Sequence, residues 1–497
     1  MLQFPSATHL LAERRRWLAL VVVCLAQLMN TLDGTIVNVA LPTIQADLHF
    51  SQANLTWVVN GYLITFGSFL LLAGRLGDLI GRKPVFVAGL VLFTAASAVC
   101  GLAHDQLVLV AARLVQGIGG AVSSSVIVAI IVTEFTEPAA RARAMSTYIF
   151  TAVGGGSIGL LLGGALTQSV DWHWIFFINL PIGVLAAIFG WALIQDNKAL
   201  GLSQGVDVLG SIIVTVALMV GIYAIVEAPA NGWTSVQTLA LAGTAVGLLI
   251  AFVILQMRLA NPIMPPRILR LGGLTSSSAV RGLAAMGMFA CFFLGSLYLN
   301  RILGYGPMQT GLAFLPMTLT VGWLSLGATA RLVQRFGPQR CTSFGLLAII
   351  AALGLLAGAD EHSSYFPRLF FAFALLGLGA GTSFMPLLTI ALADVPSADA
   401  GLASGIVNVS MQLSAALGLA VLGSISSDRT AALVAQGLSL NSSMIDGFHL
   451  SFTVAGVCVG VALIAAQILL RSTSGPALNY EPVLEVQPES WQSQEAA

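Results

Sequence analysis

Long runs of apolar residues recur along the chain, and short stretches that hold most of the charged residues separate them. Each run has about 20 residues, the length that an α-helix needs to cross a hydrocarbon core of about 30 Å. The runs are continuous rather than alternating, so they predict helices and not the strands of a membrane barrel. We predict fourteen transmembrane helices at residues 17–40, 55–74, 84–103, 107–131, 144–167, 174–195, 207–228, 237–257, 276–300, 309–330, 341–358, 367–391, 403–424 and 449–470.

The composition supports this interpretation, because 57% of the 497 residues are hydrophobic and only 8% are charged. A soluble protein of this length would present more charge to water. The sequence therefore predicts an all-α integral membrane protein. Its formal net charge of zero argues against nucleic acid as a partner. The five cysteines lie in or beside apolar runs without C-x-x-C spacing, so neither a metal site nor a disulfide is expected.

No motif for nucleotide binding or catalysis is apparent in the sequence. Neither of the two lysines, Lys83 and Lys198, ends a G-x-x-x-x-G-K-[ST] phosphate loop, so an ATP-driven pump is not indicated. There is also no recognisable Ser-His-Asp set or metal-ligand cluster. We therefore predict a protein that is not an enzyme, that needs no cofactor and that draws on an ion or substrate gradient.

The distribution of basic residues predicts the orientation in the membrane. If the N-terminus is cytoplasmic, sixteen of the 21 Lys and Arg residues fall in cytoplasmic stretches and three fall outside. The remaining two, Arg113 and Arg281, lie within predicted helices. By the positive-inside rule, both termini are expected in the cytoplasm of a multi-pass protein of the cell membrane.

A weak internal repeat divides the chain into two halves. Residues 76–81 (Leu-Gly-Asp-Leu-Ile-Gly) align with residues 332–337 (Leu-Val-Gln-Arg-Phe-Gly), each after an even-numbered helix. Parallel repeats about an axis normal to the membrane produce this pattern in transporters. We predict two pseudo-symmetric six-helix bundles with an inserted helix pair between them. The predicted regions are a cytoplasmic N-terminus (1–16), a first bundle (17–195), the inserted pair with its linkers (196–275), a second bundle (276–471) and a disordered cytoplasmic tail (472–497).

Asp33 is the one carboxylate well inside an apolar segment. A charge at the centre of a membrane helix costs about 2.5–3.5 kcal/mol on insertion scales, so it indicates a functional role. Arg113 is a candidate partner, because the two residues lie about 10 Å and about 9 Å from the same membrane surface at 1.5 Å per residue. A neighbouring arginine favours the charged carboxylate, whereas burial alone favours the protonated form. Two hypotheses remain open: a carboxylate that loads and releases a proton, or a permanent ion pair between two helices.

Several polar and adaptable side chains interrupt otherwise apolar helices. Such residues in membrane proteins face the bundle interior or a watery cavity, although many only bridge helices or pack. The candidates for lining a substrate cavity are Gln27, Asn30, Asn38, Gln116, Phe384, Asn408 and Gln412. In the fifth segment Gly155, Gly159 and Gly163 share one helix face, a spacing that predicts close helix packing rather than chemistry.

The stretch from Gly74 to Pro84 concentrates four charges between two apolar runs. We predict that it is a gating loop whose main residues are Gly74, Gly77, Asp78, Gly81, Arg82 and Lys83. A helix N-terminus carries partial positive charge and attracts a carboxylate. We therefore expect Asp78, with Arg82 as its partner, to bridge the halves near Gly401 when the protein is open to the outside. The equivalent position in the second half is Gln334, which has no charge, so this contact should be one-sided.

Four motifs in order resemble known signatures, and together the resemblance covers nearly the whole chain. Residues 74–84 resemble the G-x-L-a-D-r-x-G-r-k loop of the major facilitator superfamily of transporters. Residues 32–42 and 174–183 are similar to the first and sixth helices of its fourteen-helix drug:proton antiporters. Residues 113–120 resemble the R-x-x-q-G-x-G motif of helix 4.

This resemblance implies alternating access between two six-helix bundles, with export of drugs or other amphipathic small molecules in exchange for protons, as in multidrug efflux and antibiotic resistance. Asp33 and Arg113 would then take the proton-coupling roles, and we expect the protein to act as a monomer. One departure is Leu160, which stands where the antiporter motif of helix 5, G-x-x-x-G-P-x-x-G-G, has proline. The departure leaves open an alternative: a facilitator or importer of a small solute on the same fold.

Overall fold

The computed structural model describes residues 7–470, except 51, 56, 197–200, 202–206, 260, 261, 263, 362, 397 and 398. Within this part of the chain, fourteen helices are long and apolar enough to cross a membrane. In chain order they are α1 (Ala7–Asp47), α2 (Trp57–Ile80), α3 (Arg82–Gly101), α4 (Gln106–Glu134), α5 (Pro138–Ser169), α6 (Trp174–Leu193), α7 (Val208–Asn231), α8 (Val236–Arg258), α9 (Gly272–Arg301), α10 (307–336), α11 (Pro338–Ala357), α12 (Tyr365–Ala393), α13 (Ala400–Ala435) and α14 (Leu440–Leu469).

Three of these helices are composite. Helix α6 consists of Trp174–Phe177 and Asn179–Leu193, and α12 consists of Tyr365–Leu369 and Phe370–Ala393. Helix α10 has four parts: Pro307–Ala313, Leu315–Trp323, Leu324–Ala328 and Thr329–Phe336. Two single-turn helices, Gln52–Leu55 and Pro266–Leu269, lie in connections. In α10 the five-residue π-helical turn contains Gly327 at φ 110°, a backbone conformation that glycine adopts without a steric penalty.

The predicted fold class is confirmed, since every regular element in the described residues is helical and fourteen of the helices are candidate membrane spans. Several helices are longer than the apolar runs that predicted them. The helix predicted at 17–40 covers 41 residues, and the helix predicted at 403–424 covers 36. Hydropathy detects only the apolar part of a helix that lies in the lipid, whereas the backbone hydrogen bonds of the helix continue into the polar sequence beyond it. The predicted tail at 472–497 lies outside the described residues.

Side-chain caps set where several helices begin. Asp105 accepts a hydrogen bond from the Val108 amide at the start of α4, at 2.9 Å. Asp207, Ser235 and Ser439 cap α7, α8 and α14 in the same way, each accepting from the amide three residues later. These bonds satisfy amides that have no partner inside the helix, which matters most where the chain leaves lipid for water.

The helices pack in two groups that meet along two seams. In the first group α1 packs on α5 and α6, α3 on α4 and α6, and α2 on α4. In the second group α9 packs on α12, α13 and α14, α11 packs on α12 and α14, and α10 packs on α12. The groups meet where α2 contacts α13 and where α5 contacts α10. Helix α7 packs on α8 and also on α2 and α13, so the inserted pair lies beside the first seam.

Glycines bring the two groups together at both ends of the bundle. We call the side at which α1 begins the N-terminal face and the other side the opposite face. At the N-terminal face a Cβ atom on Gly74 of α2 would lie 2.7 Å from the carbonyl oxygen of Gly401 of α13. At the opposite face a Cβ atom on Gly311 of α10 would lie 2.8 Å from Cδ2 of Leu161 of α5. Both seams therefore depend on the absence of a side chain.

The contact between Gly74 and Gly401 generates a prediction. Gly74→Ala should force α2 away from α13 and lower stability by about 1–3 kcal/mol, the usual effect of overpacking. The melting temperature of the purified protein in detergent measures this. The matched control is Gly243→Ala in α8, because a Cβ atom there meets nothing within 4 Å. An equal melting temperature for the two variants would contradict the prediction.

Candidate functional site

Asp33 lies in the interior of the first helix group, where its side chain is fully buried. Arg113 Nη1 donates to Asp33 Oδ2 at 2.5 Å, so the proximity expected from equal depth is found. Gln116 Nε2 donates to the other carboxylate oxygen at 2.8 Å. Arg113 Nη1 also donates to Gln116 Oε1 at 2.8 Å, which closes a ring of three side chains.

Two further residues complete this site. Asn179 Nδ2 donates to Asp33 Oδ1 at 3.4 Å and to Ser97 Oγ at 3.0 Å. Gln116 Nε2 donates to Ser97 Oγ at 3.2 Å. We call Asp33, Ser97, Arg113, Gln116 and Asn179 the Asp33 cluster. It draws on α1, α3, α4 and α6, and none of its residues is more than 1% exposed.

Sequence reasoning did not identify Ser97 or Asn179 as site residues. Asn179 carried a usable signal, because it is an amide within an apolar run. Ser97 carried none, since a serine among small residues is common wherever membrane helices approach closely. Gln116 was predicted to line a substrate cavity, and the structure instead brings it into the Asp33 cluster.

Arg113 also has partners that do not depend on Asp33. Its Nε donates to the carbonyl oxygen of Val58 at 2.8 Å. Its guanidinium lies over the ring of Tyr62 at 4.5 Å and near that of Phe176 at 5.8 Å, both favourable cation–π contacts. The buried cation therefore keeps neutral partners even when the charge of Asp33 is removed.

The remaining cavity candidates separate into two sets. Asn30 is buried and donates to Ser124 Oγ of α4 at 2.7 Å, so in this structure it bridges two helices. Phe384 is 3% exposed and packs against the guanidinium of Arg281 at 5.5 Å. The three half-buried candidates are Gln27, Asn408 and Gln412. The side chain of Asn38 lies outside the part of the chain that the structure describes.

The glycine stripe of α5 faces α1. A Cβ atom on Gly159 would collide with Thr35 Oγ1, and one on Gly163 would lie 2.9 Å from Ile36 Cγ1. Gly155 lies against Leu28 in the same way, at 3.1 Å. The stripe thus holds α5 against the helix that carries Asp33. The side chain of Leu160 lies outside the described residues.

Asp78 joins the two helix groups at the N-terminal face. Its Oδ1 accepts from the Gly401 amide at 3.1 Å, and its Oδ2 accepts from the Leu402 amide at 2.9 Å. Both amides belong to the first turn of α13, where a carboxylate is attracted by the helix dipole and satisfies free N–H groups. Arg82 Nη2 donates to Asp78 Oδ1 at 3.2 Å. The expected contact of Asp78 with Arg82 and the start of α13 is therefore present.

A second polar link lies beside this one and was not predicted. Asp399, immediately before α13, forms ion pairs with Arg267 at 3.0 Å and with Arg75 of α2 at 3.8 Å. The Arg75 pair crosses between the helix groups, as the Asp78 contact does. Gln334, the counterpart of Asp78 in the repeat, is exposed.

The rest of the loop from Gly74 to Pro84 shapes this region. Gly81 has φ 109° and separates α2 from α3, a turn that a residue with a Cβ atom would strain. Gly77 has no room for a Cβ atom, because Val126 of α4 occupies that space. Lys83 pairs with Asp196 at 3.3 Å and lies over the ring of Trp191 at 5.0 Å.

Comparison with known proteins gives the family. The model described as Major Facilitator Superfamily matches residues 23–419. The chain belongs to this superfamily. The puromycin resistance protein pur8 of Streptomyces alboniger is 37% identical over 91% of this chain and 90% of its own length. The cephamycin export protein CmcT of Amycolatopsis lactamdurans is 32% identical over 94% of this chain and 95% of its own.

The fold is shared with solved members of the superfamily. The human organic anion transporter MFSD10 (TETRAN) superposes with a TM-score of 0.64 over 91% of this chain and 99% of its own, at 17% sequence identity. The family match and the fourteen candidate spans identify the chain as a multi-pass membrane transporter of the superfamily. The family and these relatives are transporters rather than enzymes. Among the described residues no group of three or more His, Cys, Asp or Glu could hold a metal ion.

The Asp33 cluster generates a stability prediction. Asp33→Asn should lower the free energy of unfolding by about 3–5 kcal/mol, because it leaves the charge of Arg113 buried without its counter-ion. Adding Arg113→Met should recover part of this loss, since the double variant buries no charge. Chemical unfolding in detergent measures both. A double variant as unstable as the sum of the two single variants would contradict the interpretation.

The Asp78 contact generates a second prediction, on conformation. Asp78→Ala and Arg82→Ala should each loosen α2 from α13, and their double-mutant cycle should give a coupling energy of about 0.5–3 kcal/mol. The readout is the equilibrium of cross-linking between cysteines introduced into α2 and α13. Gln334→Ala is the control, because that side chain is exposed and should change nothing. Additive effects of the two single variants would rule out the shared contact.

Proposed function

We propose that this transporter is a proton-coupled antiporter that exports drugs or other amphipathic small molecules across the cell membrane by alternating access. The observation that carries the proposal is a carboxylate and an arginine paired in full burial within one half of a superfamily transporter. Intramembrane charges of this kind are expensive and mark proton or substrate pathways. Relatives whose names record antibiotic resistance and export support the direction of transport.

The Asp33 cluster suggests how a proton could be coupled to movement. When Asp33 is charged, Arg113 pulls α1 towards α4 through the bond of 2.5 Å. A proton on Asp33 removes that attraction, and Arg113 can rest on the Val58 carbonyl and the Tyr62 ring. The two protonation states thus favour different positions of α1 relative to α4. A proton gradient then supplies the energy, and no cofactor is required.

Movement of α1 can reach the other half of the protein through α5. The glycine stripe packs α5 on α1, and α5 forms one seam with α10. The other seam carries the Asp78 contact at the N-terminal face, which the positive-inside rule assigns to the cytoplasm. On this proposal the contact closes the cytoplasmic side and must break before substrate enters from within. The half-buried Gln27, Asn408 and Gln412 are candidates for contacting that substrate.

A facilitator or importer of a small solute is the alternative. Two observations favour it: Leu160 replaces the proline of the antiporter motif, and the fully buried Asp33 cluster could be a permanent structural pair. The two functions differ in what drives net movement. An antiporter maintains a concentration difference only while protons flow, whereas a facilitator equilibrates its solute without them.

Accumulation of fluorescent amphipathic dyes in cells tests the proposal. Cells that produce the protein should accumulate less dye than cells without it, and an uncoupler should abolish the difference. Asp33→Asn should abolish it too, because the carboxylate that would carry the proton is gone. The matched control is Asp446→Asn, because Asp446 of α14 has a side chain that is 45% exposed and pairs with Arg429 of α13. Equilibration of the dye that is indifferent to the uncoupler would support the alternative instead.

A further inference from the structure

Arg281 is the second arginine within a membrane-spanning helix, and its surroundings differ from those of Arg113. It lies nine residues into α9, about 14 Å along the helix axis at 1.5 Å per residue. Arg281 is 6% exposed, yet no carboxylate among the described residues pairs with it. Its Nε atom is buried without a hydrogen-bond partner. Since arginine stays protonated in proteins, this buried positive charge has no counter-ion among the described residues.

Two serine hydroxyls share this lack of partners. Ser277 and Ser278 lie one turn before Arg281 on α9, and the Oγ atom of each is buried without a hydrogen-bond partner. Their neighbour Ser276 instead bonds to the carbonyl of Gly272, the usual arrangement for a helical serine. Positions three and four residues apart lie on one side of a helix. One region of α9 therefore carries three unsatisfied polar atoms, whereas buried polar groups are nearly always paired.

Aromatic side chains from two other helices border this region. The guanidinium of Arg281 lies 5.5 Å from the ring centre of Phe384 on α12. Tyr148 of α5 is buried and lies near Arg281. Because α5 belongs to the first helix group and α9 and α12 to the second, Arg281 lies where the two groups meet. Transporters of this architecture bind substrates at the interface between their repeats, near the middle of the membrane.

We propose that Arg281 binds the oxyanion of an amphipathic substrate, a carboxylate or a phosphate, and that this group determines which molecules are exported. The guanidinium fork matches the geometry of both oxyanions. The hydroxyls of Ser277 and Ser278 donate hydrogen bonds to the same group. Phe384 and Tyr148 contact the apolar part of the substrate. The inference rests on the proposed export function and adds the chemical class of the molecule.

Binding of two probes of equal shape tests this. The purified protein in dodecyl maltoside is titrated with 1-naphthylacetate and with its neutral amide, 1-naphthylacetamide, and bound probe is measured by equilibrium dialysis. We expect the carboxylate to bind at least tenfold more tightly, and Arg281→Gln to abolish this preference. The matched control is Arg301→Gln at the exposed end of the same helix, which should keep it. Equal binding of acid and amide to the unaltered protein, or a preference that survives Arg281→Gln, would overturn the proposal.

Two more conservative variants test the same proposal if Arg281→Gln does not fold. Arg281→Lys keeps the charge but loses the fork, so the preference should fall several-fold without disappearing. The double variant Ser277→Ala, Ser278→Ala removes two hydrogen-bond donors. It should weaken the binding of 1-naphthylacetate and leave the binding of 1-naphthylacetamide unchanged. Unchanged carboxylate binding in both variants would contradict the assignment.

Lipid headgroups and exported solutes both present oxyanions, and a competition experiment separates them. If phosphatidylglycerol displaces 1-naphthylacetate and phosphatidylcholine does not, the site takes anionic lipid. If neither lipid competes, it takes a solute, and both outcomes support an oxyanion site. Dye export that needs the proton gradient but shows no preference for anions would overturn this inference alone. Anion binding at Arg281 without gradient-dependent export would overturn the proposed function alone.

Discussion

A charge inside an apolar bundle must find a partner, and this requirement organises the structure. Water is not available there to solvate an isolated ion, so each buried charge fixes the elements that supply its partners. Asp33 joins α1 to α4 and α6 through one carboxylate, and Ser97 adds α3 by accepting from Gln116 and Asn179. Asp78 does the same for α2 and α13 by using backbone amides. Within the described residues Arg281 is the exception, because it has an aromatic contact with Phe384 but neither a carboxylate partner nor a hydrogen-bond acceptor for its buried Nε atom.

The helices could be predicted from the sequence because their driving force is local. A segment of about twenty consecutive apolar residues is stable in the bilayer irrespective of the other helices, so the number of spans follows from hydropathy. Helix ends depend instead on caps and on polar turns beyond the lipid, and so α1 and α13 exceed their predicted lengths. The two seams could not be derived either, because the fit of Gly74 on Gly401 requires helices distant in sequence to meet.

The same distinction applies to the site. Asp33, Arg113 and Asp78 could be identified because a charge in or beside an apolar run is conspicuous. Gln116 and Asn30 are equally polar, but only the packing decides whether an amide bonds to a carboxylate or bridges two helices. The absence of a carboxylate or hydrogen-bond partner at Arg281 could not be predicted from the sequence for a different reason. A missing contact becomes visible only when all neighbouring side chains have been placed.

The contact between Asp78 and α13 is chemically unequal on its two sides. One side is a single carboxylate, whereas the other consists of two main-chain amides that every residue except proline possesses. Codon changes at Leu402 can alter the side chain without removing the donor. Position 401 is different, because a Cβ atom there would lie 2.5 Å from Asp78 Oδ1 and displace the carboxylate. Genetic variation can therefore erase this contact at Asp78 or at Gly401, whereas position 402 can change its side chain and keep its part of the junction.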